Sequence, residues 1–294
     1  MIATTPPHPS LSPPPSHSET TDIVRVEIGG VGFALPLAAI ATILSPSAMI
    51  AREDAVWSGF VPSRNGEIPI ADGRSVFGLD ASGSSNQHLL ILRGSPATGL
   101  LVDAIHATNT IPASDIAWLS PLFGPVERLL TQAVAWSNDN ALDLVIDIPA
   151  LRRHLHSGVD EHASGATASI AALFEHTPPG ERLELRLDDS DRTWLLPIAY
   201  VRHISDPRPP AHLPRANPAV LGLLAWHREP IPLIDTARAL KLPPTTPTTL
   251  IVVGPESQPD DALLVLTIVG VLGVAPPNST AEILDLAEIV RRLG

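Results

Sequence analysis

The sequence predicts a mainly β protein built as two modules in tandem, on three observations. The first is a repeat. Gly59, Pro69 and Asp72 recur as Gly222, Pro232 and Asp235, each pair 163 positions apart. Ile68-Pro69-Ile70 matches Ile231-Pro232-Leu233, and Leu79 matches Leu242. At the same offset, Leu100-Leu101-Val102-x-x-Ile105 becomes Leu263-Leu264-Val265-x-x-Ile268. A register held over about 45 residues marks two copies of one module. The second observation is period-two apolar patterning, the mark of strands with a buried face. The third is a break at the same point of each copy, Asp80 to Asn86 and Pro243 to Thr248. Each copy is therefore expected to hold two small β-subdomains.

The elements follow in chain order. Residues 1–22, with Pro6-Pro7 and Pro13-Pro14-Pro15 among Ser, Thr and His, cannot build a packed core and are expected to be disordered. Val24-x-Val26-x-Ile28 alternates, turns at Gly29-Gly30 and resumes at Phe33-Ala34-Leu35-Pro36, a β-hairpin. Its counterpart runs Leu183-x-Leu185-x-Leu187, turns through Asp188 to Asp191 and resumes at Trp194-Leu195-Leu196-Pro197. Leu37, Ile40 and Ile43 after Pro36, like Ile198, Val201 and Ile204 after Pro197, predict a short helical turn lying on the core. Residues 156–180 read as a linker in which Ala168 to Phe174 can form a docking helix. The modules then span 23–155 and 181–294. Ala262 to Val274 is far shorter than the roughly 20 residues of a spanning helix and predicts one or two strands buried on both faces.

Composition narrows the function. A net charge of −12 argues against nucleic acid and anionic membranes as partners. Cysteine is absent, which excludes disulfides and thiolate metal sites. The first basic residue is Arg25 and no apolar run precedes it, so a signal peptide is not expected and a cytoplasmic location is. There is no Gly-x-Ser-x-Gly elbow, no phosphate-binding loop with lysine and no His-Glu-x-x-His, so the reading is not an enzyme and needs no cofactor. Gly29-Gly30-Val31-Gly32 precedes a strand where a nucleotide site would need a helix. Asp188-Asp189-Ser190-Asp191 lacks the later glycine and glutamate of a calcium loop and reads as a solvated hairpin tip. His154 and His156 have no third metal ligand nearby and read as a polar helix face.

The motif residues read first as structural. Asp72 and Asp235 can cap short helices, worth about 1 kcal/mol each. Pro69 and Pro232 imply a strand edge or a bulge, because proline gives nothing to a ladder. Gly59 and Gly222 mark bends where backbone approaches backbone. Arg64 beside Asn65-Gly66, a turn dipeptide, is expected near a surface, solvated, paired within the chain, or offered as a planar donor fork.

These residues resemble the CheW-like adaptor domains of bacterial chemotaxis, whose central motif is similar to Gly-Val-x-Asn-Leu-Arg-Gly-x-x-x-Pro-x-x-Asp with a later Gly-x-x-Val-Asp. Here the first copy reads Gly59-Phe60-Val61-Pro62-Ser63-Arg64-Asn65-Gly66-Glu67-Ile68-Pro69-Ile70-Ala71-Asp72, then Gly99-Leu100-Leu101-Val102-Asp103. The resemblance implies that each module is two small five-stranded SH3-like barrels side by side, with short helices. It implies a non-catalytic scaffold coupling chemoreceptor cytoplasmic tips to the regulatory domain of a CheA-type histidine kinase. Other CheW-like domains are further partners it suggests, and receptor–kinase arrays the location. An interaction protein of another motility or two-component pathway, such as twitching or gliding, is the alternative, and an unrecognised enzyme a remote one. The partner contacts it suggests are Ile40, Ile43, Arg64, Gly99, Val102 and Asp103, with plain core packing as the other reading of Ile40 and Ile43. The second copy departs: His227 stands at the arginine position, Ala262 and Leu266 at those of the later glycine and aspartate, and the stretch from Val274 to Asp285 has no room for a strand like Gln132 to Trp136. That copy reads as degenerate and shortened, its sheet open-edged or covered by another segment.

Overall fold

A computed structural model describes residues 20–52, 56–64, 66–80, 87–119, 129–136, 141–157, 166–255 and 262–293. The N-terminal tail up to residue 19, Asn65, the break at 81–86 and the linker stretch 158–165 lie outside the described residues. The first copy opens with the hairpin β1 (Thr20–Ile28) and β2 (Val31–Pro36). It continues through β3 (Ile40–Leu44), β4 (Ile50–Ala51), β5 (Gly59–Ser63), β6 (Gly66–Asp72), helix α1 (Gly73–Phe77), β7 (His88–Leu92) and β8 (Thr98–Val102). Then come β9 (Ala104–Pro112), β10 (Ile116–Trp118), β11 (Leu130–Ala135), β12 (Leu142–Ile146) and helix α2 (Ile148–Ser157).

These strands form two sheets. The terminal barrel has the order β10-β11-β12-β2-β1-β9, and the central barrel β3-β7-β8-β6-β5-β4. The chain enters the central barrel after β2 and leaves it between β8 and β9, so each barrel is completed by residues far apart in sequence. Several strands of each sheet are buried on both faces, unlike those of a sheet with one solvated face. In the terminal barrel Ile23, Ala34, Val134 and Val145 fill one side, while Val24, Val26, Phe33 and Leu35 face the other. In the central barrel Ile70, Leu89, Ile91 and Leu101 fill the interior, and Ala71, Leu90, Leu92 and Leu100 point outward into the shared core. That double burial is why Leu89-Leu90-Ile91-Leu92 is an unbroken apolar run. Phe33 and Phe77 stack across the shared core with ring centroids 4.7 Å apart.

Helix α3 (Ala166–Ala172) follows, and then the second copy. Its strands are β13 (Arg182–Arg186), β14 (Trp194–Pro197), β15 (Val201–Ser205), β16 (Val220–Trp226) and β17 (Glu229–Ile234). After helix α4 (Thr236–Ala239) come β18 (Thr249–Val253), β19 (Leu264–Ile268), β20 (Gly270–Val274), β21 (Glu282–Ile283) and helix α5 (Leu286–Leu293). Its central barrel has the order β15-β18-β19-β17-β16, and its terminal sheet only β20-β13-β14-β21. Strand numbers thus run from four to six per sheet. Partner strands show the equivalence, for β12 pairs in parallel with β2 as β21 does with β14. Nothing in the second copy corresponds to β10 and β11 among the described residues. The chain passes from β20 to the two-residue β21, which ends its sheet.

Several local expectations meet the structure directly. Asp72 Oδ1 accepts from Arg74 N at 2.9 Å and Asp235 Oδ1 from Arg238 N at 3.0 Å, so both cap short helices. Asp147 and Asp285 do the same for α2 and α5. A Cβ on Gly59 would collide with the carbonyl oxygen of Ile50, and one on Gly222 with that of Ala211, the close backbone approach expected of them.

Other expectations need correction. Pro69 and Pro232 lie in interior strands, not at a sheet edge. Pairing of β8 with β6 begins only at Ile70, and that of β19 with β17 only at Leu233, so each proline sits just short of the parallel ladder that would need its N–H. The segment after Pro36 is a single 3-10 turn, Leu37–Ala39, and Ile40 and Ile43 belong to β3. The same holds after Pro197, where Ile198–Tyr200 turns and Val201 opens β15. Period three in so short a window cannot separate a turn plus a bulged strand from a helix. Indeed β3 and β15 each skip one residue in pairing with β7 and β18. Of the run 262–274, β19 is buried throughout, but Leu272 and Val274 of β20 are exposed. Asp188 is turned inward, accepting from Ser190 N at 3.0 Å, so the hairpin tip is held from inside.

The steric reading of Gly59 has a measurable consequence. Gly59→Ala forces a methyl against fixed backbone and is expected to destabilise the protein by about 2 kcal/mol or more. A shift of the urea midpoint at unchanged slope would register it.

Candidate partner-binding surface

Strands β5 and β6 pair without a register break, from Gly59 opposite Ile70 to Ser63 opposite Gly66. Arg64 therefore lies in a two-residue connection at the tip of a hairpin, and it is exposed. The tip is held by Ser63 Oγ, which donates to the carbonyl of Gly66 at 2.7 Å. Pro62 and Glu67 are exposed beside it, and Phe60 and Pro69 are half-buried on the strands below. On β3, Ile43 is 48% exposed whereas Ile40 is buried. The two isoleucines thus divide: Ile40 belongs to the shared core, and Ile43 offers apolar surface. In the second copy Ile204 on β15 is likewise exposed.

The other candidates lie inside. Gly99 and Val102 are buried in β8, and a Cβ on Gly99 would run into the side chain of Ile70. Asp103 is 5% exposed, at the residue where the chain crosses from the central to the terminal barrel. Its Oδ2 accepts from Arg74 Nε at 3.0 Å and from the backbone N–H of Gly29 at 2.6 Å, and its Oδ1 accepts from the second guanidinium nitrogen. Three segments meet on one carboxylate: α1 of the central barrel, the crossover itself, and the β1–β2 turn of the terminal barrel. The approach of that turn requires Gly29 and Gly30, both left-handed at φ 59 and 79. The hydrogen bond to Asp103 raises the pKa of Arg74 above its usual value, so the guanidinium stays charged. These residues support the outer surface from within and do not themselves reach it.

The second copy keeps neither member of this ion pair. The sequence offset does not hold here. Ile70 pairs with Gly99, but its counterpart Leu233 pairs with Val265, three residues beyond the position the repeat implies. The counterparts of Gly99 and Asp103 are therefore Val265 and Val269, not Ala262 and Leu266. The crossover confirms it: Asp103 N donates to Glu27 O, and Val269 N to Arg186 O. At the position corresponding to Arg74 stands buried Ala237. The ion pair is replaced by two apolar residues, Ala237 buried and Val269 half-buried.

The tip of the second copy's hairpin is not free. His227 and Arg228 take left-handed φ of 49 and 72, and Arg228 Nη1 donates to Asp115 Oδ1 of the first copy at 2.8 Å. The hairpin β16–β17 packs on β10, β11 and β12. Burial follows. Leu223, Pro230 and Pro232 are buried, whereas their counterparts Phe60, Glu67 and Pro69 are half-buried or exposed. Neither Arg228 nor Asp115 stands out in the sequence. An arginine one place after the expected position was the available signal.

A second buried carboxylate also escaped the sequence reading. Asp143 on β12 lies against Gly32, where no side chain would fit. It accepts from Trp136 Nε1 at 2.7 Å and pairs with Arg25 Nε at 2.6 Å. Burial raises its pKa and outweighs the opposing effect of Arg25 and Trp136. Among the described residues no group of three or more His, Cys, Asp or Glu could hold a metal ion, and no helix is long and apolar enough to cross a membrane.

Comparison with known proteins bears on the duplicated two-barrel design. The family model for the CheW-like domain matches residues 22–156 and again 185–292. The chain belongs to the CheW-like domain family. It carries the domain twice, a regular copy followed by a degenerate one. Among solved structures it is similar to the scaffolding protein TtCheW from Thermoanaerobacter tengcongensis, at 17% identity and a TM-score of 0.41, over 49% of this chain and 98% of that one. No curated protein matches it. Within the family frame, the Gly-x-x-Val-Asp motif of this CheW-like chain is an interior fastener, and the arginine of the first motif is its outward-facing member.

Two outcomes test these assignments. Asp103→Ala orphans a buried guanidinium and should cost about 3–5 kcal/mol. Arg74→Ala with Asp103→Val, the pair the second copy uses, should recover at least half of that loss in chemical denaturation. For Asp143, a raised folded pKa means its contribution is fully present below the unfolded carboxyl value and is lost as pH rises through the folded one. Arg25→Ala removes the opposing charge and raises that pKa further. It should cost about 1–3 kcal/mol near neutrality and progressively less on acidification, read as thermal melts of the two proteins converging toward low pH.

Proposed function

We propose that this chain is a non-catalytic adaptor that couples chemoreceptor cytoplasmic tips to the regulatory domain of a CheA-type histidine kinase, in the cytoplasm at receptor–kinase arrays. The observation that carries this reading is the bare β5–β6 hairpin of the first module, with Arg64 exposed at its tip. A guanidinium there is a planar donor fork for a partner carboxylate or carbonyl group, set beside the apolar strip of Phe60 and Pro69. Ile43 adds exposed apolar surface on the same barrel. Ile40, Gly99, Val102 and Asp103 act one layer below, holding the strands that present these groups. Membership in the CheW-like family supports an adaptor role in chemotaxis. An interface of standard size needs only about 800 Å² from each partner, within reach of one small barrel.

Co-purification with a receptor cytoplasmic tip and the kinase regulatory domain is the direct test. Arg64→Ala should weaken capture by roughly tenfold, the loss of one charge-assisted contact, while leaving thermal melting unchanged. Capture by neither component would send the function to another signalling pathway. A collapse of stability in Arg64→Ala would make that arginine structural.

A further inference from the structure

The same hairpin occurs twice in this chain, once covered and once bare. In the second module β16–β17 is seated on β10, β11 and β12 of the first module and fastened at its tip by Arg228 to Asp115. In the first module the matching hairpin β5–β6 leaves Phe60, Glu67 and Pro69 partly or wholly exposed where Leu223, Pro230 and Pro232 are buried. The receiving face also occurs unequally. The first module builds it from β10–β12, but the second ends its sheet at the two-residue β21 and has no counterpart of β10 and β11 among the described residues.

We propose that the second module is a built-in stopper. It fills the β10–β12 face of its own neighbour and offers no such face in return, so the chain can be extended only through the β5–β6 hairpin. The occupant that fits the hairpin is the β10–β12 face of a CheW-like module on another polypeptide, with an acidic side chain at the place of Asp115 to receive Arg64. A hairpin on one module meeting a sheet face on the next is a head-to-tail contact, and such contacts propagate into rings or filaments unless one end is blocked. Here one end is blocked in cis. The covalent tether keeps the local concentration of the stopper high, and its desolvated proline-rich strand excludes a competitor. The left-handed backbone of His227 and Arg228 is what a two-residue type I′ hairpin turn demands, and the turn places Arg228 at the tip.

The chain alone supplies the test, so its outcome is independent of whether a receptor or kinase is bound. The wild-type protein holds one covered face and is expected to remain monomeric in sedimentation. Opening the seat with Arg228→Glu plus Pro230→Arg uncovers β10–β12, and the bare hairpin of a second molecule can then enter. Weight-average mass should rise about twofold or more with concentration. Adding Arg64→Glu to the opened variant should return it to monomer. Circular dichroism checks that the opened variant is folded; if it is not, Arg228→Glu alone, which sets like charges against each other at the seat and leaves Asp115 to receive Arg64, is read in the same way. A folded opened variant that stays monomeric overturns the proposal. So does association that Arg64→Glu leaves intact, or wild-type protein that assembles by itself.

Discussion

The first module is pinned together at one carboxylate. Asp103 stands where the chain leaves one barrel for the other, and it binds the guanidinium of Arg74 and the backbone of Gly29 in the dry space between them. Each small barrel alone has a modest interior. Stability comes from the core the two share, and that core closes only if the barrels hold one relative placement. A charge in that position is costly to bury unless every partner is present. The arrangement therefore ties helix α1, the crossover and the β1–β2 turn into a single unit, and it fixes the platform from which the β5–β6 hairpin projects.

The second module shows that the charge is one solution among others. With Ala237 and Val269 in place of Arg74 and Asp103, the same crossover is made without that ion pair, Val269 N still donating to the carbonyl of Arg186. Its terminal sheet is short, and the linker packs on this module through α3 against α5. Ile170, Ala171 and Phe174 enter the core, Phe174 meets Tyr200 edge-on at 5.4 Å, and the Tyr200 hydroxyl donates to the carbonyl of His176 at 2.5 Å. Burial raises the pKa of that phenol. The connection between modules is thus also a structural part of the second.

Where the two modules meet, the duplication becomes more than an addition. The β10–β11 hairpin, which among the described residues has no counterpart in the second module, forms with β12 the surface that takes up the second module's central barrel. Loss of these strands in one copy and their use as a seat in the other are two sides of one asymmetry. This is how a repeated domain can bury an interface within one chain while leaving its counterpart bare.

What the sequence determined by itself is what depends on neighbours in the chain. The repeat, the alternating strands, the Asp caps and the two close-approach glycines are local demands of backbone geometry, and all were legible. So was the surface placement of Arg64, because a two-residue turn exposes whatever it carries. The tertiary structure decided what depends on residues far apart. Only strand pairing shows that the repeat slips by three residues before β19, since a slip inside an apolar run leaves an equally apolar run. Only the crossover turns Asp103 inward, and only contact between modules joins Arg228 to Asp115. Asp143 beside Gly32 is the same case: sequence carries the charge, but the dry space that raises its pKa exists only once β12 lies against β2.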